Sequence, residues 1–79
     1  SRVASLIRGE REVLAGLEAH TSGKPVRDCL RETDRVAEMF EHYAGWADKL
    51  RGETIGMPTP HLTYTLLEPF GVVLQITPW

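Results

Sequence analysis

The sequence predicts an α/β chain made of two amphipathic helices, a bridging strand and the first strand of an incomplete parallel sheet. Three observations predict it. Apolar residues recur at helical spacing over most of the first 50 positions, an alternating run follows at His61–Leu67, and a nearly continuous apolar run, Val72–Thr77, comes last.

The first helix is expected to reach Thr21-Ser22-Gly23. Val3, Leu6, Ile7, Val13, Leu14 and Leu17 fall on one stripe, because residues three, four and seven apart share a helix face. Arg8, Glu10, Arg11, Glu12 and Glu18 fall mostly on the other side. Gly9 and Gly16 each weaken the helix, by up to about 1 kcal/mol relative to alanine, so it needs a surface to pack on. Gly23 suits a left-handed cap, and Pro25 cannot continue the helix but can sit in the first turn of the next.

The second helix is expected from about Val26 to Leu50. Val26, Leu30, Thr33, Ala37, Phe40, Ala44 and Ala47 form its stripe, widened by Val36, Tyr43 and Leu50. Arg27, Asp28, Arg31, Glu32, Asp34, Arg35, Glu38 and Glu41 read as a solvated face. Gly45 inside the pattern suits a close contact or a bend, and Gly52 a cap after Arg51.

Glu53–Pro60 reads as a loop, since Gly56, Pro58 and Pro60 oppose regular structure. In His61–Leu67, Leu62, Tyr64 and Leu66 alternate with polar neighbours, the pattern of a half-buried strand. Glu68-Pro69-Phe70-Gly71 breaks it. The apolar run Val72–Thr77 suits a strand covered on both faces, as in a parallel sheet between helices. Such a strand needs strand neighbours and helices on both sides. The chain supplies too few of either, so the natural unit is expected to be longer; a first residue other than methionine fits this.

Composition bounds the function classes. The chain has 79 residues, a net charge of -2, 42% hydrophobic and 25% charged residues. Basic residues are interleaved with acidic ones, which gives no footprint for nucleic acid or an anionic membrane. The single cysteine, Cys29, cannot form an internal disulfide, and no secretory or membrane-spanning run is visible. The expected setting is a reducing compartment, the cytoplasm.

Candidate chemical groups are few. Cys29 lies between Arg27 and Arg31, which point elsewhere on a helix, so it reads as a semi-buried helix residue rather than a nucleophile. His20, His42 and His61 are far apart and lack metal-ligand spacing. Thr21-Ser22-Gly23-Lys24-Pro25 lacks the leading glycine and preceding strand of a phosphate loop and reads as a helix–helix turn. The carboxylates of Glu32, Asp34, Glu38 and Glu41 read as helix surface. The end of the last strand, at Thr77-Pro78-Trp79, is the kind of place where ligands of open α/β sheets bind.

Four runs carry a resemblance: Ser22-Gly23-Lys24-Pro25, Tyr43 to Ile55 (YAGWADKLRGETI), Glu68 to Val73 (EPFGVV) and Ile76 to Trp79 (ITPW). In this order they resemble the N-terminal part of NAD(P)-dependent aldehyde dehydrogenases, over essentially the whole chain. The resemblance implies the following division. Residues 1–60 are the helical part of a cofactor-binding domain with a loop, 61–69 a bridging strand through which subunits pair, and 70–79 the first strand of a Rossmann-like cofactor-binding sheet.

It further implies oxidation of an aldehyde to a carboxylic acid with NAD or NADP, through a cysteine thiohemiacetal and a glutamate that activates water. Those two groups, and the asparagine that follows the proline–tryptophan pair, are not among the 79 residues. No catalytic residue and no metal ligand is therefore expected here, and the piece alone is expected to be inactive. Ile76, Thr77, Pro78 and Trp79 match the residues whose backbone lines the dinucleotide. The implied partners are a small-molecule aldehyde and further copies of the chain, in a dimer or tetramer joined through His61–Leu67. Thr21 stands where the family commonly has an acidic residue, and Leu74 where it has a glycine or small residue. The competing expectation is a stand-alone truncated paralogue that acts as an interaction module.

Overall fold

The structure, a computed structural model, describes residues 1–77. They divide into two compact units, Ser1–Ala47 and the segment from Asp48 onward.

The first unit holds three helices: α1 (Arg2–Gly9), α2 (Arg11–Ser22) and α3 (Val26–Ala44). The single first helix expected from the sequence is thus two. The chain leaves helical geometry at Glu10, with φ −103° and ψ 17°. Gly9, just before it, has the backbone freedom that makes leaving a helix cheap. Glu10 still donates its N–H to the Leu6 carbonyl at 3.0 Å and accepts from Leu14 N–H at 2.9 Å, so its own backbone groups stay bonded across the break. Both α1 and α2 pack on α3.

The next boundary follows the sequence. Gly23 takes a left-handed conformation at φ 71° and donates to the Ala19 carbonyl at 2.9 Å. Pro25 then precedes α3 with φ −57°, close to the value its ring imposes. The far end of α3 differs from expectation: it stops at Ala44, not Leu50. Beyond it the chain tightens into turns, with Trp46 N–H on the Tyr43 carbonyl at 3.0 Å and Ala47 N–H on that of Ala44 at 3.4 Å. Bonds three residues apart are a common way for a helix to end, and Gly45 is a poor residue for propagating one.

The packing face also differs from the expected stripes. The buried residues are Ala4, Ala15, Cys29 and Ala37. Leu6, Val13 and Leu17, placed on the inner stripe by periodicity, are exposed. Small side chains at the contact let helix axes approach closely, and the larger apolar residues flank that contact. On α3 the buried and half-buried positions are Asp28, Cys29, Leu30, Thr33, Asp34 and Ala37, so the face is turned toward Asp34 and away from Phe40.

The second unit holds a two-stranded antiparallel sheet, β1 (Thr54–Ile55) with β2 (Thr63–Tyr64), in the register Thr54 to Tyr64 and Ile55 to Thr63. The ladder continues as Thr65 N–H on the Glu53 carbonyl at 2.9 Å, and the Glu53 N–H bonds Thr65 Oγ1 at 2.8 Å. β1 falls in the stretch expected to be loop, and the strand expected over His61–Leu67 is regular only at Thr63–Tyr64. Leu62, Tyr64 and Leu66 are exposed, whereas Thr63 is half-buried, so the expected alternation does not give a buried apolar face. Gly52 is not a helix cap. A Cβ at this position would collide with the Thr65 carbonyl oxygen, so glycine permits the close approach of the two backbones.

The expected parallel strand at Val72–Thr77 is not formed: among the described residues this segment has no regular structure and pairs with no strand. A ladder needs a neighbour to take its N–H and C=O groups, and the described residues supply none beside it. The α/β class therefore holds as three helices with an antiparallel pair, without a Rossmann-like sheet. No helix among the described residues is long and apolar enough to cross a membrane.

Candidate functional site

The best-organised polar cluster in the first unit surrounds the α1–α2 break. Arg8 at the end of α1 grips Glu41 of α3 with two parallel hydrogen bonds, Nη1 to Oε1 at 2.7 Å and Nη2 to Oε2 at 2.6 Å. Arg11 at the start of α2 grips Asp34 of α3 in the same way, Nε to Oδ1 at 2.6 Å and Nη2 to Oδ2 at 2.8 Å. Such forked pairs fix geometry as well as charge. A third tie holds the α2–α3 turn: Lys24 Nζ lies 2.7 Å from Glu32 and 3.6 Å from Glu18.

The electrostatics follow the geometry. The hydrogen bonds from Arg8 and Arg11, aided by their charges and opposed by desolvation, hold Glu41 and Asp34 below the ordinary carboxylate range. The same bonds raise the pKa of both arginines. Lys24 is raised chiefly by its hydrogen bond to Glu32. Carboxylates held ionised in this way are poorly suited to proton transfer near neutral pH. Asp34, Glu41 and Glu32 thus form inter-element ties and not the freely solvated face expected of them. The signal in the sequence was the presence of opposite charges bordering two helical stripes, but periodicity alone could not say which would meet. A depression of about 380 Å³ at the break is lined by Arg8–Val13. Its two arginines are held by Glu41 and Asp34, so it is not a ready anion site.

The remaining candidates resolve as follows. Cys29 is buried, with Sγ 3.9 Å from the Lys24 carbonyl oxygen and on the packing face of α3. A helix-packing thiol without an adjacent base is not an activated nucleophile. His42 Nε2 accepts the indole N–H of Trp46 at 3.1 Å, one turn on. Among the described residues no group of three His, Cys, Asp or Glu could hold a metal. Lys24, in the turn that superficially resembles a phosphate loop, is occupied by carboxylates.

Of the four residues expected to line a dinucleotide, Ile76 and Thr77 stand on the exposed segment without regular structure. Pro78 and Trp79 lie outside the described residues. Ile76 is 84% exposed. A dinucleotide site is concave and encloses most of its ligand, so exposed Ile76 and Thr77 could form at most part of one wall.

Comparison with known proteins defines the class. The profile of the aldehyde dehydrogenase family matches residues 1–79, and the chain belongs to that family. It is 46% identical over 79 residues to the mitochondrial benzaldehyde dehydrogenase of Antirrhinum majus, covering 99% of this chain and 15% of that one. It is 45% identical over 80 residues to the mitochondrial aldehyde dehydrogenase of Homo sapiens, covering 100% and 16%. With the betaine aldehyde dehydrogenase of Bacillus subtilis (strain 168) it shares 43% identity over 79 residues, covering 99% and 16%. The chain thus spans about 15–16% of the length of these relatives. No solved structure matches it. The expected cytoplasmic location is corrected by these findings, since relatives from plant and animal sources are named mitochondrial.

Proposed function

We propose that this chain is the N-terminal part of an aldehyde dehydrogenase that oxidises an aldehyde to a carboxylic acid with NAD or NADP as hydride acceptor. The observation that carries the reading is the family match along residues 1–79, with relatives from plant, animal and bacterium all named as aldehyde dehydrogenases. The relatives' names also bring a mitochondrial compartment into the reading.

In this reading the helices and the antiparallel pair are scaffold. Ile76, Thr77, Pro78 and Trp79 give backbone to one wall of the dinucleotide site, and the rest of that site, including the sheet around Val72–Thr77, comes from further polypeptide. The thiol that attacks the aldehyde comes from there as well, because Cys29 is buried on the packing face of α3. The exposure of Phe70, Val72, Val73, Leu74 and Ile76 supports it, since a run of large apolar side chains in water is what an unpaired core strand presents.

The test is reduction of NAD and of NADP by the full-length enzyme with aromatic, aliphatic and betaine aldehydes. Reduced nicotinamide should form in proportion to acid produced. Absence of reduction with every aldehyde, or a reading frame that stops after Trp79 and yields a folded monomer, overturns the reading.

The same proposal has the strand around β2 pair with another copy of the chain. Leu62 and Leu66, on the segment that flanks Thr63–Tyr64, are 78% and 70% exposed. Replacing both with aspartate in the full-length enzyme should lower the assembly to monomers by light scattering. An unchanged oligomer in a folded variant would remove this strand from the interface.

A further inference from the structure

We draw no further inference here: the strongest candidate, the exposed apolar patch of Val36, Met39, Phe40 and Tyr43 on α3, carries nothing because nothing in the structure shows what covers it.

Discussion

The unit Ser1–Ala47 and the segment from Asp48 onward are built from similar proportions of apolar residues, yet they are held in different ways. The first has three helices closed on small buried residues, with ion pairs between elements at Arg8–Glu41, Arg11–Asp34 and Lys24–Glu32. The second has two two-residue strands and no buried residue among those described. The difference lies in where hydrogen-bonding partners come from. A helix satisfies its backbone locally, whereas a strand must find another strand. A short stretch of polypeptide can therefore specify its helices far more completely than its sheet.

Three measurements break or sharpen this contrast. The largest effect is expected at the helix contact. Ala37→Leu puts three carbons where α3 is fully buried, and overpacking of this kind costs about 1–3 kcal/mol. Urea unfolding followed by helical circular dichroism should show that loss. An unchanged midpoint would mean that the helices do not meet at Ala37.

An intermediate effect is expected from acid. Asp34 and Glu41 have folded-state pKa values below their ordinary ones because of Arg11 and Arg8. Their contribution is fully present above the unfolded carboxylate range, about 4, and is lost as pH falls through the depressed folded values. Helix stability should therefore be level from neutral pH to about 5 and fall below that. An Asp34→Asn, Glu41→Gln double variant should flatten the fall. Because these side chains are partly exposed, 1 M salt should also shrink it by screening. A double variant with the same acid profile as the parent would show that the pairs do not tie the helices.

The smallest effect on the helices is expected from Gly52→Ala. The added methyl meets the Thr65 carbonyl, so the β1–β2 pairing should be lost and the Thr65 amide should exchange faster with deuterium. The helical midpoint should stay within about 0.5 kcal/mol, as for substitutions remote from a core. A large fall in helical stability would show that the effect of the substitution reaches the helices.

Legibility in the sequence follows the same divide. The Gly23 cap and the start of α3 after Pro25 depend on residues a few positions apart and could be read directly, whereas Cys29, expected to be semi-buried and off the stripe, lies in the packed face. The break at Glu10 could not, because Gly9 signals only a weaker helix and the bend is set by how α1 and α2 each lie on α3. The rotation of the α3 face toward Asp34 was hidden for a related reason. Periodicity ranks apolar residues by hydrophobicity, but close helix contact selects small ones, and forked arginine pairs draw acidic residues to its border. β1 was obscured by the loop-forming residues that follow it, since its partner is eight or more positions away. The family motifs were legible throughout, including at Ile76–Trp79. A motif is read from residue identity alone, so it stays legible where the described residues that carry it have no regular structure.

The break at Glu10 has a consequence for how the chain tolerates change in length. Arg8 and Arg11 stand on opposite sides of it and are each locked to a separate carboxylate on the one helix α3. Adding or removing a single residue within α1 near the junction would turn its preceding turns by about 100°, swinging Arg8 away from Glu41 while Arg11 kept its hold on Asp34. The junction thus acts as a vernier: the number of residues between Arg8 and Arg11 is set by two fixed marks, Glu41 and Asp34, on the facing helix.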